Sequence, residues 1–446
     1  FALYGNDSNL TVNGGNYNFA NNGSLAYLEN GSVLNYNNTG TLTTSSEPML
    51  YIINSKANMN NNDIVVSANG TGVYMTGNST FSGWNNMTLN SGSTGIYVEN
   101  SKATIDGKNI TGTANKAKGI VAINSDVTNK ANMQFSDDDS IGIFSRNNSG
   151  SAKNIVNTGN IDITGERSIA AYLEGTSDQT FENSGTINVD KTTTSVKNDS
   201  TVGIYAQNGS KINVKNSGTI NVGESSFGIY SLSENGNVET TGSSVINVAD
   251  KAIGIYKKGG TANVGGIINV ANHIATDPNS EPVGIYGSSG VTVTDTTTNF
   301  NVGDKSYGVI LANPGIGKTN IYSNSASSNI TLGKESTFIY TEGASNVTNN
   351  ATMTSGTNDK IIAIYGKDGA NIVNNGMIDL SNGIGNQGIL VTGASNAVNR
   401  GVIKVGKTDN SDPNNIVYGI GMAAINGASI SNDRDIYVSG HLSIGM

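Results

Sequence analysis

The sequence predicts an all-β chain wound as a right-handed parallel β-helix of about 18 coils with three short strands per coil. Three observations lead there. A Gly-Ile-Tyr strand returns from one end of the chain to the other. An Asn-x-Gly turn followed by an alternating strand accompanies it in constant order and phase. Apolar residues alternate with polar ones over runs of about four, the period of a half-buried strand.

Residues 203–222, GIYAQNGSKINVKNSGTINV, show one coil in full. Gly203-Ile204-Tyr205-Ala206 is the first strand and Gln207-Asn208-Gly209-Ser210 a polar corner. Lys211-Ile212-Asn213-Val214 alternates as a second strand. Asn216-Ser217-Gly218 is a turn, since Asn and Gly tolerate positive φ. Thr219-Ile220-Asn221-Val222 is the third strand. So short a stretch buries no core alone and is stable only when copies stack.

The third position of the Gly-Ile-Tyr strand runs through Tyr4, Tyr27, Tyr51, Tyr74, Tyr97, Val121, Phe144, Tyr172 and Tyr205. It continues through Tyr230, Tyr256, Tyr286, Ile310, Tyr340, Tyr365, Leu390 and Gly421. Ile is mostly kept one place earlier, so Ile is expected inside, with a ladder of rings on the outer face. The Asn turns, as at Asn157, Asn183 and Asn374, are expected to hydrogen-bond up the stack. Phe1-Ala2-Leu3-Tyr4 and Ser443-Ile444-Gly445-Met446 both read as parts of a repeat. One continuous domain, residues 1–446, is therefore expected, as a fragment of a longer rod.

Composition agrees. The 446 residues include 57 Gly and 5 Pro, and apolar content is 36%, below the usual globular share. The net charge of −9 is spread thinly, with no basic run beyond Lys257-Lys258, so nucleic acid is not an expected partner. No apolar run is long enough for a spanning helix, and FALYGNDSNL has no signal-peptide pattern. With no Cys and only two His, His273 and His441, neither a metal site nor any other cofactor is expected.

Function would be grafted where the repeat departs from itself. Insertions at 190–201, 271–283 and 406–417 leave from the same corner, and a fourth, 314–328, leaves from another. The first three supply the candidate contact residues Thr192, Lys197, His273, Asp277, Asp409 and Asp412, with His273 expected to be exposed. Residues 312–319, ANPGIGKT, nearly spell a phosphate loop, but no helix is expected after Lys318. Asp137-Asp138-Asp139 reads as a solvated corner rather than a calcium loop. Asp162, Asp379 and Asp435 read as equivalent strand positions too far apart for paired acid–base work. Trp84 reads as a corner packing residue.

The Gly-Ile-Tyr strand followed by Asn-x-Gly-x-Ile-Asn-Val, as in residues 203–222 and 228–248, resembles the passenger repeats of very large bacterial autotransporter adhesins, in style most like the fusobacterial adhesins of type V secretion. The resemblance implies a non-catalytic rod on the bacterial cell surface, outer-membrane anchored or secreted. It would attach to a host-cell protein or glycan, or to partner bacteria. Its membrane anchor would be a C-terminal β-barrel outside this stretch. The rival expectations are a polysaccharide-active β-helix enzyme and a passive spacer.

Overall fold

The computed structural model describes the chain except residues 16–22, 45, 193–199 and 275–279. Every regular element among the described residues is a strand, and none is a helix. The chain divides into two compact units, Phe1–Ile220 and Asn221–Met446. The architecture is a parallel β-solenoid of about 15 turns.

Three tiers repeat in each unit. In the first, Ile141–Asn147, Lys153–Asn157 and Ile161–Ile163 make one coil. Ile169–Gly175, Gln179–Asn183 and Ile187–Val189 make the next. Counterparts pair in parallel one coil apart, Phe144 opposite Tyr172, Ile155 opposite Phe181 and Ile161 opposite Ile187. The second unit does the same, with Tyr365 opposite Leu390, Ile372 opposite Ala397 and Ile378 opposite Ile403.

The expected eighteen coils counted every Gly-Ile-Tyr strand as a full coil. Before residue 16 only Leu3–Asn6 and Asn9–Val12 are strands, and past Val438 only a bridge from Ile420 to Ile444 continues the pattern. Three further expectations change. The register places Ala423, not Gly421, after Leu390 in the ring column. The fourth insertion is confined to 312–319, because Asn320–Asn324 is a regular second-tier strand. Asp435 does not share the position of Asp379, whose column continues through Lys404 to Tyr437.

The two motif residues have steric and polar reasons. In the first tier Gly and Ile both point inward, and a Cβ on Gly228 would meet the Gly254 carbonyl oxygen at 2.5 Å. Ile204, Ile229, Ile255 and Ile285 are wholly buried, while the tyrosines after them are half-buried on the outer face. The Asn of the turn points inward and, apart from Asn432 in the last coil, is buried. In the first unit Asn129 donates to Asn157 Oδ1 at 2.8 Å, Asn157 to Asn183 at 2.8 Å and Asn183 to Asn216 at 2.8 Å. In the second, Asn324, Asn349, Asn374 and Asn399 each donate to the next coil's Asn, ending on Asn432, all at 2.7 Å. The same amide closes its own turn, as Asn157 does on the Gly159 carbonyl at 2.7 Å.

Candidate functional site

The first-tier outer face carries the chain's most ordered surface chemistry. Its rings stack along the coil direction. Tyr74 and Tyr97 lie 5.9 Å apart with planes 12° from parallel, and Tyr172 and Tyr205 lie 5.0 Å apart at 9°. In the second unit Tyr230 and Tyr256 are 4.7 Å apart, and Tyr256 and Tyr286 are 5.4 Å apart, both at 19°. Each pair is worth about 0.5–1.5 kcal/mol beyond area burial. Faces engaged this way are closed to a stacking ligand, so the ladder presents ring edges and phenol hydroxyls.

In several coils a polar side chain stands beside the ring, two residues further along the strand. Tyr4 donates to Glu29 at 2.6 Å, Tyr74 to Glu99 at 3.0 Å and Tyr340 to Glu342 at 2.9 Å. Burial of the phenol, reinforced by Glu99, pushes Tyr74 up to about 12. Burial, then Glu47, does the same to Tyr51. These phenols remain hydrogen-bond donors throughout the physiological pH range.

In the second unit, chain segments border this face on both sides. Residues 271–274 and 280–283 enter the strand Val283–Ser288. The Pro282 carbonyl accepts from Tyr307 N at 3.0 Å, and the neighbouring Glu281 adds to the burial that raises the Tyr307 phenol. On the other side, 312–319 forms a pinned loop. Asn320 Nδ2 closes its neck on the Ala312 carbonyl at 3.1 Å, Ser289 N bonds the Asn313 carbonyl at 2.9 Å, and Lys318 pairs with Glu234 at 3.1 Å. Gly315 and Gly317 take positive φ (87° and 67°), which leaves Ile316 fully exposed at the tip. That turn runs straight into a strand, so the phosphate-loop spelling has no helix N-terminus behind it.

The candidate residues fare unequally. Lys197 and Asp277 lie outside the described residues. Thr192 is not a displayed contact: it is buried, and its hydroxyl accepts from Thr201 N at 3.0 Å, tying the root of its insertion together. His273 is not exposed either. It is buried with Nδ1 2.7 Å from Asp250 Oδ1, and Ile274 N donates to the other oxygen of that carboxylate at 3.0 Å. Asp250 thus clamps the start of the loop, and the exposed side chain there is Ile274. Asp409 and Asp412 do share one insertion. Asp409 is half-buried, and the Ser411 hydroxyl and amide followed by Lys360 (3.1 Å) hold it down to about 2. Asp412 is exposed and caps Asn414 N at 2.9 Å. Both are engaged in their own turn.

Other expected corners are structural. Arg167 on the next coil clamps Asp139 at 2.8 Å and Asp138 at 3.1 Å. Among the described residues no group of three or more metal-ligating side chains occurs. Trp84 is buried against Phe81 with centroids 4.5 Å apart, and its Nε1 donates to the Asn109 carbonyl at 3.1 Å.

The buried Lys257 and Asp295 of the second unit escaped the sequence reading. Lys257 extends inward to the Ser233 and Lys258 carbonyls. Asp295 stands in register with Asn324, at the ladder position. It accepts from Tyr322 Oη at 2.7 Å and Thr297 N at 2.9 Å, and burial raises its pKa. A raised carboxyl opposes folding above its unfolded pKa of about 3.9. Asp295→Asn is therefore expected to raise stability at pH 7 by about 1–2 kcal/mol, because a neutral amide costs less to bury than a carboxylate whose hydrogen bonds offset only part of its desolvation. The gain should vanish toward pH 3; thermal melts of both proteins across pH 3–7 check it, and equal stability at pH 7 contradicts it.

No family model, curated protein or solved structure matches the chain.

Proposed function

We propose that this chain belongs to the passenger of a large type V autotransporter adhesin. On this proposal it is a right-handed β-helix displayed at the bacterial surface that attaches, without catalysis, to a host-cell protein or glycan or to partner bacteria. The observation that supports it best is the outward column of tyrosines, repeated in most coils and joined in some by a neighbouring carboxylate. Identical weak contacts spaced about 4.8 Å apart can engage an extended partner together, so their affinities compound. Exposed Ile274 and Ile316 beside the column, and the 406–417 insertion, would supply the specific contacts.

The test is binding of the purified chain to host cells and to partner bacteria by flow cytometry. The wild type should bind, and a chain with Tyr256, Tyr286 and Tyr340 all changed to Ser should bind at least tenfold less, the compounded loss of three modest contacts. A wild type that binds nothing would favour the passive spacer. Release of reducing sugar from bacterial or host glycans would favour the enzyme.

A further inference from the structure

In an Asn-Gly pair the glycine nitrogen can attack the asparagine side chain, because glycine has no Cβ in the way and rotates freely. A chain this rich in both residues carries many such pairs, and the solenoid locks most of them. The Gly31 amide donates to the Asn54 carbonyl of the next coil at 2.8 Å, and Gly376 to Asn349 of the preceding coil at 3.1 Å. Gly70 and Gly236 donate within their own turns, to Ser67 at 2.9 Å and Ser233 at 3.1 Å. Gly383 is buried in the strand Ile378–Ile384, where a Cβ would lie 2.0 Å from the Asn358 carbonyl oxygen. Ahead of Gly14, the Asn13 carboxamide is held by Asn37 at 2.9 Å. The inward asparagines of the ladder are never followed by Gly.

One pair in each unit is left free. Asn208-Gly209 lies on the corner between the strands Val202–Ala206 and Ile212–Asn216. Asn426-Gly427 lies on the corresponding corner, between Ile420–Ile425 and Ser429–Asn432. All four residues are exposed. Among the described residues neither glycine amide and neither carboxamide makes a hydrogen bond. Both glycines hold positive φ, 140° at Gly209 and 86° at Gly427. A Cβ on Gly427 would meet nothing within 4 Å, and one on Gly209 only the Gly175 carbonyl oxygen at 3.4 Å. Both corners therefore have room to turn the nitrogen toward the side chain.

We infer that Asn208 and Asn426 are sites of spontaneous deamidation and isoaspartate formation in the folded chain, while the locked pairs are protected. The Gly209 nitrogen, its proton lost to hydroxide, bonds to Asn208 Cγ. The Cγ–Nδ2 bond breaks, and the amide leaves as ammonia after taking a proton from water, closing a five-membered imide. Water then opens the ring at one of two bonds. Cleavage between Cγ and the Gly209 nitrogen gives aspartate; cleavage between the Asn208 carbonyl carbon and that nitrogen gives isoaspartate. One water is consumed by the whole sequence, one ammonia is released, and nothing is oxidised or reduced. Asn426 and Gly427 follow the same course. Both corners lie outside the strands, so the extra backbone carbon of isoaspartate interrupts no coil-to-coil pairing. Each event adds one carboxylate to the surface of an already acidic rod. This inference does not depend on the adhesive function proposed above.

The experiment incubates the intact chain in mildly alkaline buffer, with and without urea, and follows each Asn-Gly peptide by mass spectrometry after digestion. Methyl transfer by an isoaspartyl methyltransferase reports the isoaspartate. In the fold, Asn208 and Asn426 should convert at least about tenfold faster than Asn30, Asn69, Asn235 and Asn375, whose glycine amides must first be released from a hydrogen bond. In urea the rates should draw together. Gly209→Ala should slow conversion at Asn208 about tenfold and leave Asn426 unchanged. Asn208→Gln, which must close a larger ring, should remove the methyl label at that corner. Circular dichroism confirms the fold of both variants. Equal rates at free and locked pairs in the fold would overturn the inference. So would the same ranking in urea as in the fold, since sequence and not structure would then set the rates. Conversion at Asn208 unaffected by Gly209→Ala would also overturn it, because the attack would not come from the glycine nitrogen.

Discussion

Asn374→Ala is expected to destabilise the Asn221–Met446 unit by about 3–5 kcal/mol, several times the effect of any outward Asn. The Asn374 amide donates to the Gly376 carbonyl at 3.1 Å and to Asn399 Oδ1 at 2.7 Å, and its oxygen accepts from Asn349 at 2.7 Å. Truncation strands two or three buried polar groups, each costing about 1–3 kcal/mol when left unpaired. Asn371, three residues earlier, is exposed and makes 3.3 Å contacts with Asn346 and Asn396. Asn371→Ala should therefore stay within about 0.5 kcal/mol of wild type. Asn374→Asp keeps the volume but loses both donor hydrogens, so it should be as damaging as alanine at pH 7 and recover in part at low pH, where the protonated carboxyl donates to one of the two acceptors. Urea unfolding followed by circular dichroism compares the three. Equal midpoints for the inward and outward alanine variants would show that the ladder contributes nothing special.

Those two positions also show what the sequence makes legible. In AsnIleValAsnAsnGly, residues 371–376, alternation alone assigns Ile372 and Asn374 to the inside, and the Gly two places on marks the turn that Asn374 closes. The tiers, the outward tyrosines and the stacked amides follow from such local rules because each coil meets only a copy of itself. The insertions obey no such rule. His273 is buried because of Asp250, 23 residues earlier in the preceding coil, and Thr192 because its partner Thr201 closes the same insertion from the far side. Nothing within 271–283 or 190–201 announces either contact. Ile310 looks like a lapse in the repeat, and only the register shows that Tyr286 of the coil before it and Tyr340 and Glu342 of the coil after it flank it. Lys257-Lys258 reads as a small basic run, although strict alternation already requires one of the two to point inward.

That inward lysine gives the second large effect. Lys257 is fully buried, its ammonium 2.6 Å from the Ser233 carbonyl and 3.2 Å from that of Lys258. The adjoining corner is fitted to it: Gly260 has φ +60°, and a Cβ there would lie 3.2 Å from Lys257 Nζ and 2.6 Å from the Gly236 carbonyl. Burial lowers the ammonium's pKa to about 8, with distant Glu234 offsetting only part of the loss. The unfolded chain, titrating near the model-compound value of 10.5, binds more protons than the folded chain between these limits, so stability must rise with pH across that window. Below pH 8 the burial penalty is fully present, and above about 10.5 it is gone. From pH 7 to pH 10 the contribution of Lys257 should improve by at most about 2–3 kcal/mol. Above pH 10 the tyrosines oppose it, because phenols raised in the fold lose stability as the unfolded chain ionises. Lys257→Met removes the charge and keeps the stem. It leaves the two corner carbonyls without their donor, so at pH 7 it should gain only about 1–2 kcal/mol. By pH 10 that advantage should have disappeared. The decisive quantity is the difference between the two proteins' melting temperatures, measured from pH 7 to 10, since every other group cancels in it. A constant difference would mean that Lys257 does not change its protonation in that range, and that the solenoid holds a permanent ammonium in its core.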